Sequence, residues 1–106
     1  MKPTDFIHSS HPLLSDRVRL AIMGTLAALS EEVDFNTLLQ ELNLSKGNLS
    51  THMLKLEESG LVEVKKEFVG RKPRTSYRCS DVGRREVQNY LKQIEQMLKK
   101  AKGAKK

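Results

Sequence analysis

Two short apolar-periodic runs stand on either side of Asn43-Leu44-Ser45, and that spacing constrains the fold more than any other feature of the chain. In the first run Phe35, Leu38, Leu39 and Leu42 fall at i, i+3, i+4 and i+7, a compact helix of about two turns. Asp34 stands where its carboxylate can accept from the free N–H groups of the first turn. Ser45 is a second N-cap only three residues after Leu42, and the helix it opens runs to Ser59, burying Leu49, Met53 and Leu56. Gly60 suits the left-handed residue that ends such a helix. Two short amphipathic helices joined by so tight a turn form a bent helix pair.

What flanks the pair fills in a single domain. The first twelve residues hold two of the three prolines and are read as an N-terminal arm or loop. From Leu13 a helical pattern sets in, with Leu14, Val18, Ala21, Ile22, Thr25 and Leu29 on one face, and Ser30-Glu31-Glu32 closes it. Val33 reads as a short strand or an extended link. After Gly60 the run Leu61–Phe68 alternates as a half-buried strand does, and Thr75–Cys79 answers it, with Tyr77 and Cys79 set to meet Val62 and Val64. Residues 69–74 form the loop between them. Ser80-Asp81 then caps a long helix over residues 81–102, in which Val87, Leu91, Ile94, Leu98 and Ala101 recur at intervals of about 3.5 and ask for a partner helix. The expected fold is mainly α with a small β-hairpin, in one unit over residues 13–85 followed by that helix and a basic tail at 103–106.

Charge sharpens the reading. The chain of 106 residues carries 19 Lys and Arg against 13 Asp and Glu, a net charge of +6. The excess is local: residues 65–85 hold eight basic groups and only Glu67 and Asp81 as acids. A positive field so concentrated points to an anionic partner. One cysteine, Cys79, excludes an internal disulfide framework, and it reads as a small buried hydrophobe. No apolar run approaches membrane-spanning length and the N-terminus lacks the hydrophobic stretch of a signal peptide, so the chain is expected to be soluble and cytoplasmic, with no membrane partner. Neither a catalytic constellation nor a phosphate-cradling glycine loop is present, so no enzyme and no cofactor are expected. His8 and His11 have metal-compatible spacing, but Pro12 is adjacent and no carboxylate or thiol cluster is near; no metal site is expected.

The order helix, helix, turn, helix, basic hairpin, long helix resembles the winged helix-turn-helix regulators of bacteria and archaea. Residues 44–66, LSKGNLSTHMLKLEESGLVEVKK, resemble the recognition helix and first wing strand of the ArsR/MarR-like transcriptional regulators. Residues 68–84, FVGRKPRTSYRCSDVGR, are similar to a small winged-helix DNA-binding family with a Gly-Arg-(Arg/Lys)-Pro turn in its wing. Cys79 stands where that family usually has Leu, and Ser80 leads the cap in place of Thr. The Cys pair of ArsR-type metal sensors is missing.

The resemblance implies a sequence-specific double-stranded DNA-binding regulator, expected to be a repressor and a homodimer on a pseudo-palindromic operator. Ser45, Lys46, Gly47, Asn48, Ser50, Thr51, His52 and Lys55 are the expected recognition-helix contacts: short hydrogen-bonding side chains for base edges, cations for phosphates. The roles of Ser50 and His52 come from the resemblance of Ser50-Thr51-His52 to a Ser-x-His pattern in ArsR-type regulators. Lys65, Lys66, Arg71, Lys72 and Arg74 are the expected wing contacts. Leu14, Val87, Leu91, Ile94 and Leu98 are the expected dimer seam. A winged helix serving only as a protein-interaction module is the competing expectation. Leu54, facing outward, has no core role on this reading, and whether a small effector is sensed is not legible.

Overall fold

The computed structural model describes residues 2–104; Lys105 and Lys106 of the basic tail lie outside them. The element order is α1 (Pro3–Ser9), a 3-10 turn (Pro12–Ser15), α2 (Arg17–Ala27), β1 (Val33–Asp34), α3 (Phe35–Leu42), α4 (Lys46–Glu58), β2 (Val62–Val69), β3 (Lys72–Cys79) and α5 (Asp81–Lys102). This is the mixed, mainly helical fold that the periodicities predict.

The local start and stop signals account for most boundaries. Asp34, Ser45 and Ser80 cap α3, α4 and α5, their side chains accepting from the backbone N–H of Thr37, Asn48 and Gly83. Asn43 ends α3 in the left-handed conformation at φ 51°, which Asn tolerates better than most residues. Gly60, at φ 73°, ends α4: its N–H reaches the Glu57 carbonyl and that of Leu61 reaches Leu56, a complete Schellman arrangement.

The sheet has strand order β1-β3-β2, antiparallel throughout. Val62 pairs with Cys79 and Val64 with Tyr77, as the alternation predicts, and Val33 pairs with Tyr77 on the other side. The hairpin is longer than the sequence reading had it. Register continues to Val69↔Lys72, leaving a two-residue turn, Gly70-Arg71, where a six-residue loop was expected. Gly70 supplies the positive φ (65°) that such a turn needs at its first position. Pro73 sits inside β3 without loss, because opposite Phe68 it occupies a non-hydrogen-bonded pair and β1 does not extend that far.

The core gathers Leu14, Ile22, Met23, Leu26, Leu38, Leu49, Met53, Leu56, Leu61, Val62, Tyr77, Cys79 and Val87 around α2. Helix α2 differs from its expected extent and face. It starts at Arg17, capped by Asp16, and its buried residues are Ile22, Met23 and Leu26, while Ala21 and Leu29 are exposed. A helix packed on several sides has no single apolar stripe, so the one-faced pattern misled.

The N-terminal arm is also corrected. Pro3 occupies the first turn of α1, where its missing N–H costs nothing, and Asp5 accepts from the backbone N–H of Lys2 at 3.2 Å. This short helix lies on α5: Phe6 meets Tyr90 at 5.4 Å between ring centroids, and Gln93 bonds both Ser9 and Ser10. Nothing in twelve residues signals a helix whose support is a distant one.

Candidate nucleic-acid interface

Helix α4 presents its expected contact residues on an open surface. Ser45, Lys46, Gly47, Asn48, Ser50, Thr51 and Lys55 are all exposed, opposite the buried Leu49, Met53 and Leu56. A Cβ built on Gly47 meets no atom within 4 Å, so the fold itself does not call for glycine there. The hydroxyl of Thr51 donates to the Gly47 carbonyl at 2.9 Å, which leaves its lone pairs and methyl group to face outward.

His52 departs from this group. It is half-buried, and its Nδ1 lies 3.2 Å from the Nη1 of Arg19 on α2. Arginine has only donors, so Nδ1 is the acceptor in this contact. Arg19 is itself fixed by the Leu13 carbonyl, 2.9 Å from Nε, and by Asp16 at 3.9 Å. The backbone N–H of Arg19 is the main cause holding the Asp16 carboxyl below its usual range. Arg19 carried no signal in the sequence, since its partner lies on another helix.

The wing cations divide into two classes. Lys65 lies 3.4 Å from Glu67 and 3.9 Å from Glu32, and Arg74 lies 3.8 Å from Asp34. The sequence counted only nearby acids and missed Glu32 and Asp34, which β1 brings against the hairpin. Lys66, Arg71 and Lys72, like Lys46 and Lys55 on α4, pair with no acid among the described residues. Strand alternation puts Lys66 on the opposite face from Lys65. There it lines a groove of about 470 Å³ between α4 and the wing, together with Ser50, Leu54, Pro73, Arg74 and Thr75. Leu54 is 56% exposed and forms part of the groove wall, the place that the sequence reading could not give it.

The buried side of the wing is inert scaffolding. Burial pushes the Tyr77 hydroxyl up, with Glu57 adding to the shift, and it also pushes the Cys79 thiol up, with Arg84 opposing more weakly. A buried, protonated thiol is a poor nucleophile and a small packing group, as read from the sequence. Arg84 holds the end of α2 by donating to the Ala27 and Leu29 carbonyls. No group of three or more metal-ligating side chains is gathered among the described residues. Nor is any of their helices long and apolar enough to cross a membrane.

The expected dimer residues also separate. Leu14 and Val87 are 0% and 2% exposed, in the core of the single chain, so no partner can reach them without repacking. The heptad spacing is real, but its first member serves the chain's own core. Leu91 and Leu98 are exposed and Ile94 is half-buried. From Glu95 to Ala104 every residue is exposed, as α5 leaves the body of the molecule, which measures 62 × 24 × 24 Å.

Comparison with known proteins agrees with this geometry. The chain is 40% identical over 82 residues to an uncharacterized protein of Methanocaldococcus jannaschii, a match spanning 77% of this chain and 88% of the relative. Its fold is similar to that of a transcriptional regulator homologue from Pyrococcus horikoshii, at a TM-score of 0.80 and 28% identity, covering 92% of this chain and 94% of the other. It is also similar in fold to MepR of S. aureus, solved as a DNA complex, at a TM-score of 0.72 and 15% identity, covering 85% and 76%. Residues 18–98 match the winged helix DNA-binding domain family. With β2 and β3 as the wing and α3–α4 as the helix-turn-helix, the chain belongs to that winged helix DNA-binding domain family.

Proposed function

We propose that the protein is a sequence-specific, double-stranded DNA-binding transcriptional regulator that acts as a homodimer. The observation that carries the reading is the groove in which Ser50 and Leu54 of α4 face Lys66 and Pro73 of the wing, since it turns both elements to one side of the molecule. Helix α4 enters a major groove with Ser50, Thr51 and Asn48 toward base edges and Lys46 and Lys55 toward phosphates. Lys66, Arg71 and Lys72 follow the flanking backbone or minor groove, while Lys65, Arg74 and His52 serve mainly to fix the two elements. The domain limits follow: residues 13–85 bind DNA and the far part of α5 pairs the protomers.

A helix of 22 residues is about 33 Å long, with the exposed Leu91 at its middle and the exposed Met97 and Leu98 on its outer half. Pairing through them gives a two-fold dimer, whose operator is a near-palindrome with half-sites about one helical turn apart. Occupying such a site excludes other proteins from an overlapping promoter, so repression is the mode we assign.

Selection of bound sites from random duplex DNA tests the reading. A recurrent near-palindrome is the expected product, and unenriched sequence would refute specific binding. Titration of the selected site at several salt concentrations should give a log affinity that falls linearly with log salt. Weak, salt-independent association would favour a protein-interaction module instead.

A further inference from the structure

Phe68 is the most exposed large apolar side chain among the described residues, at 74%, and it lies near the end of the wing. The hairpin is regular to its tip: register runs unbroken from Val62↔Cys79 to Val69↔Lys72, and the two-residue turn leaves no loop to fold back over the ring. Phe68 is directly opposite Pro73 in a non-hydrogen-bonded pair, the kind that brings side chains closest, so the two form one apolar tip. It shares a strand face with Val64 and Lys66, both of which line the groove against α4. The ring is therefore on the side of the wing that faces the exposed surface of the helix.

The charges around this tip select its occupant. Lys66 on the same face and Arg71 and Lys72 at the turn carry no ion pair. The acids of β2, Glu63 and Glu67, project from the opposite face and are held by Arg78 and Lys65. An aromatic ring and a proline with Lys66 on their own face and free cations at the adjoining turn fit a surface with anionic walls and an apolar floor. A DNA minor groove has that form, with phosphates at its rims and sugars and base steps within, and apolar wedges, Phe and Pro among them, are a known way of opening such steps.

We infer that Phe68, backed by Pro73, is an apolar wedge that enters the minor groove beside the α4 site, partly unstacks one base step and bends the duplex. The inference rests on the DNA-binding reading and adds to it a position where sequence is read through deformability: flexible pyrimidine–purine steps should be favoured under the wing.

The test uses the full chain and duplexes bearing the selected site, with a fluorescent adenine analogue placed in turn at each step flanking the α4 contacts and with dyes on both ends. Wild-type protein should raise the analogue's emission at one step per half-site and shorten the end-to-end distance. Phe68→Ser should abolish both signals and weaken binding about tenfold, the scale of losing one aromatic–base contact. Lys72→Ala should weaken binding and shallow the salt dependence but keep the emission. Thermal melts will establish that both variants fold, as expected for exposed sites. Phe68→Ser that binds as tightly and bends as much as wild type overturns the wedge alone. So does a change in oligomeric state of Phe68→Ser without DNA, which would give the ring to a second copy. Wild-type protein that binds no duplex at low salt overturns the DNA reading itself.

Discussion

Gly83, in the first turn of α5, is packed against the carbonyl group of Leu61 so closely that a Cβ would run into the carbonyl oxygen and stand 2.9 Å from its carbon. The same carbonyl accepts from the backbone N–H of Ser80, and the Ser80 hydroxyl donates to Gly60 while capping Gly83. One junction therefore sets how α5 leaves the end of α4 and the wing.

Gly83→Ala should destabilise the fold by about 1–3 kcal/mol, toward the upper end because the obstacle is backbone and cannot swing aside. Urea unfolding of the variant measures this, and a loss within error of zero would mean that the junction yields.

Gly47 should behave in the opposite way. A Cβ there meets nothing, so Gly47→Ala should stabilise α4, by less than the full ~1 kcal/mol of a helix interior because the site is in the first turn. If the backbone lies close to DNA, the same variant should bind its operator more weakly. Gain of stability with loss of affinity is the expected pair of results, and unchanged affinity would remove Gly47 from the interface.

Among the wing cations, Arg71→Ala and Lys72→Ala should each shallow the slope of log affinity on log salt by about 0.9, one phosphate apiece. Arg74→Ala should change it less, since Asp34 already faces that guanidinium at 3.8 Å. Asp34→Asn, which keeps a capping side chain, should free Arg74 and strengthen binding to random duplex. Equal slopes for all three alanine variants would show that the Asp34 pair gives way to DNA.

Asp34 also predicts an acid sensitivity. The hydrogen bonds from Thr37, then the charge of Arg74, hold its carboxyl below the usual value of 3.8. The unfolded chain thus binds the proton more readily, and the stabilisation is complete above about pH 4. It is lost as pH falls through the lower, folded-state value. The stability advantage of wild type over Asp34→Asn should shrink between pH 6 and about pH 3, as chemical denaturation at each pH will measure.

The proposed dimer rests on Leu91 and Leu98, the members of the heptad that are exposed on the single chain. Leu91→Asp with Leu98→Asp should give a folded monomer by light scattering, with operator affinity reduced because two half-sites no longer act together. By contrast Val87→Asp should unfold the chain, since it buries a charge in the core. A persistent dimer in the double variant would move the interface off α5.

The sequence by itself determined what depends on near neighbours. Asp34, Ser45 and Ser80 cap their helices, Gly60 closes α4, and Val62 and Val64 meet Cys79 and Tyr77, because caps, left-handed turns and alternation act within a few residues along one chain. Helix α4 and the basic hairpin were legible for the same reason. Only the tertiary structure decided which cations are free and which apolar faces are spent. Arg74 is faced by Asp34, which β1 carries in from far along the chain, Lys65 gains the distant Glu32 beside its strand neighbour Glu67, and Arg19 holds His52 from another helix. Leu14 and Val87 fill the chain's own core, and α1 exists on the surface that Tyr90 and Gln93 offer it. Periodicity says that a face is apolar, and composition says that a loop is basic. What that face or charge meets depends on contacts between residues distant in sequence, and those pairings do not repeat with any period.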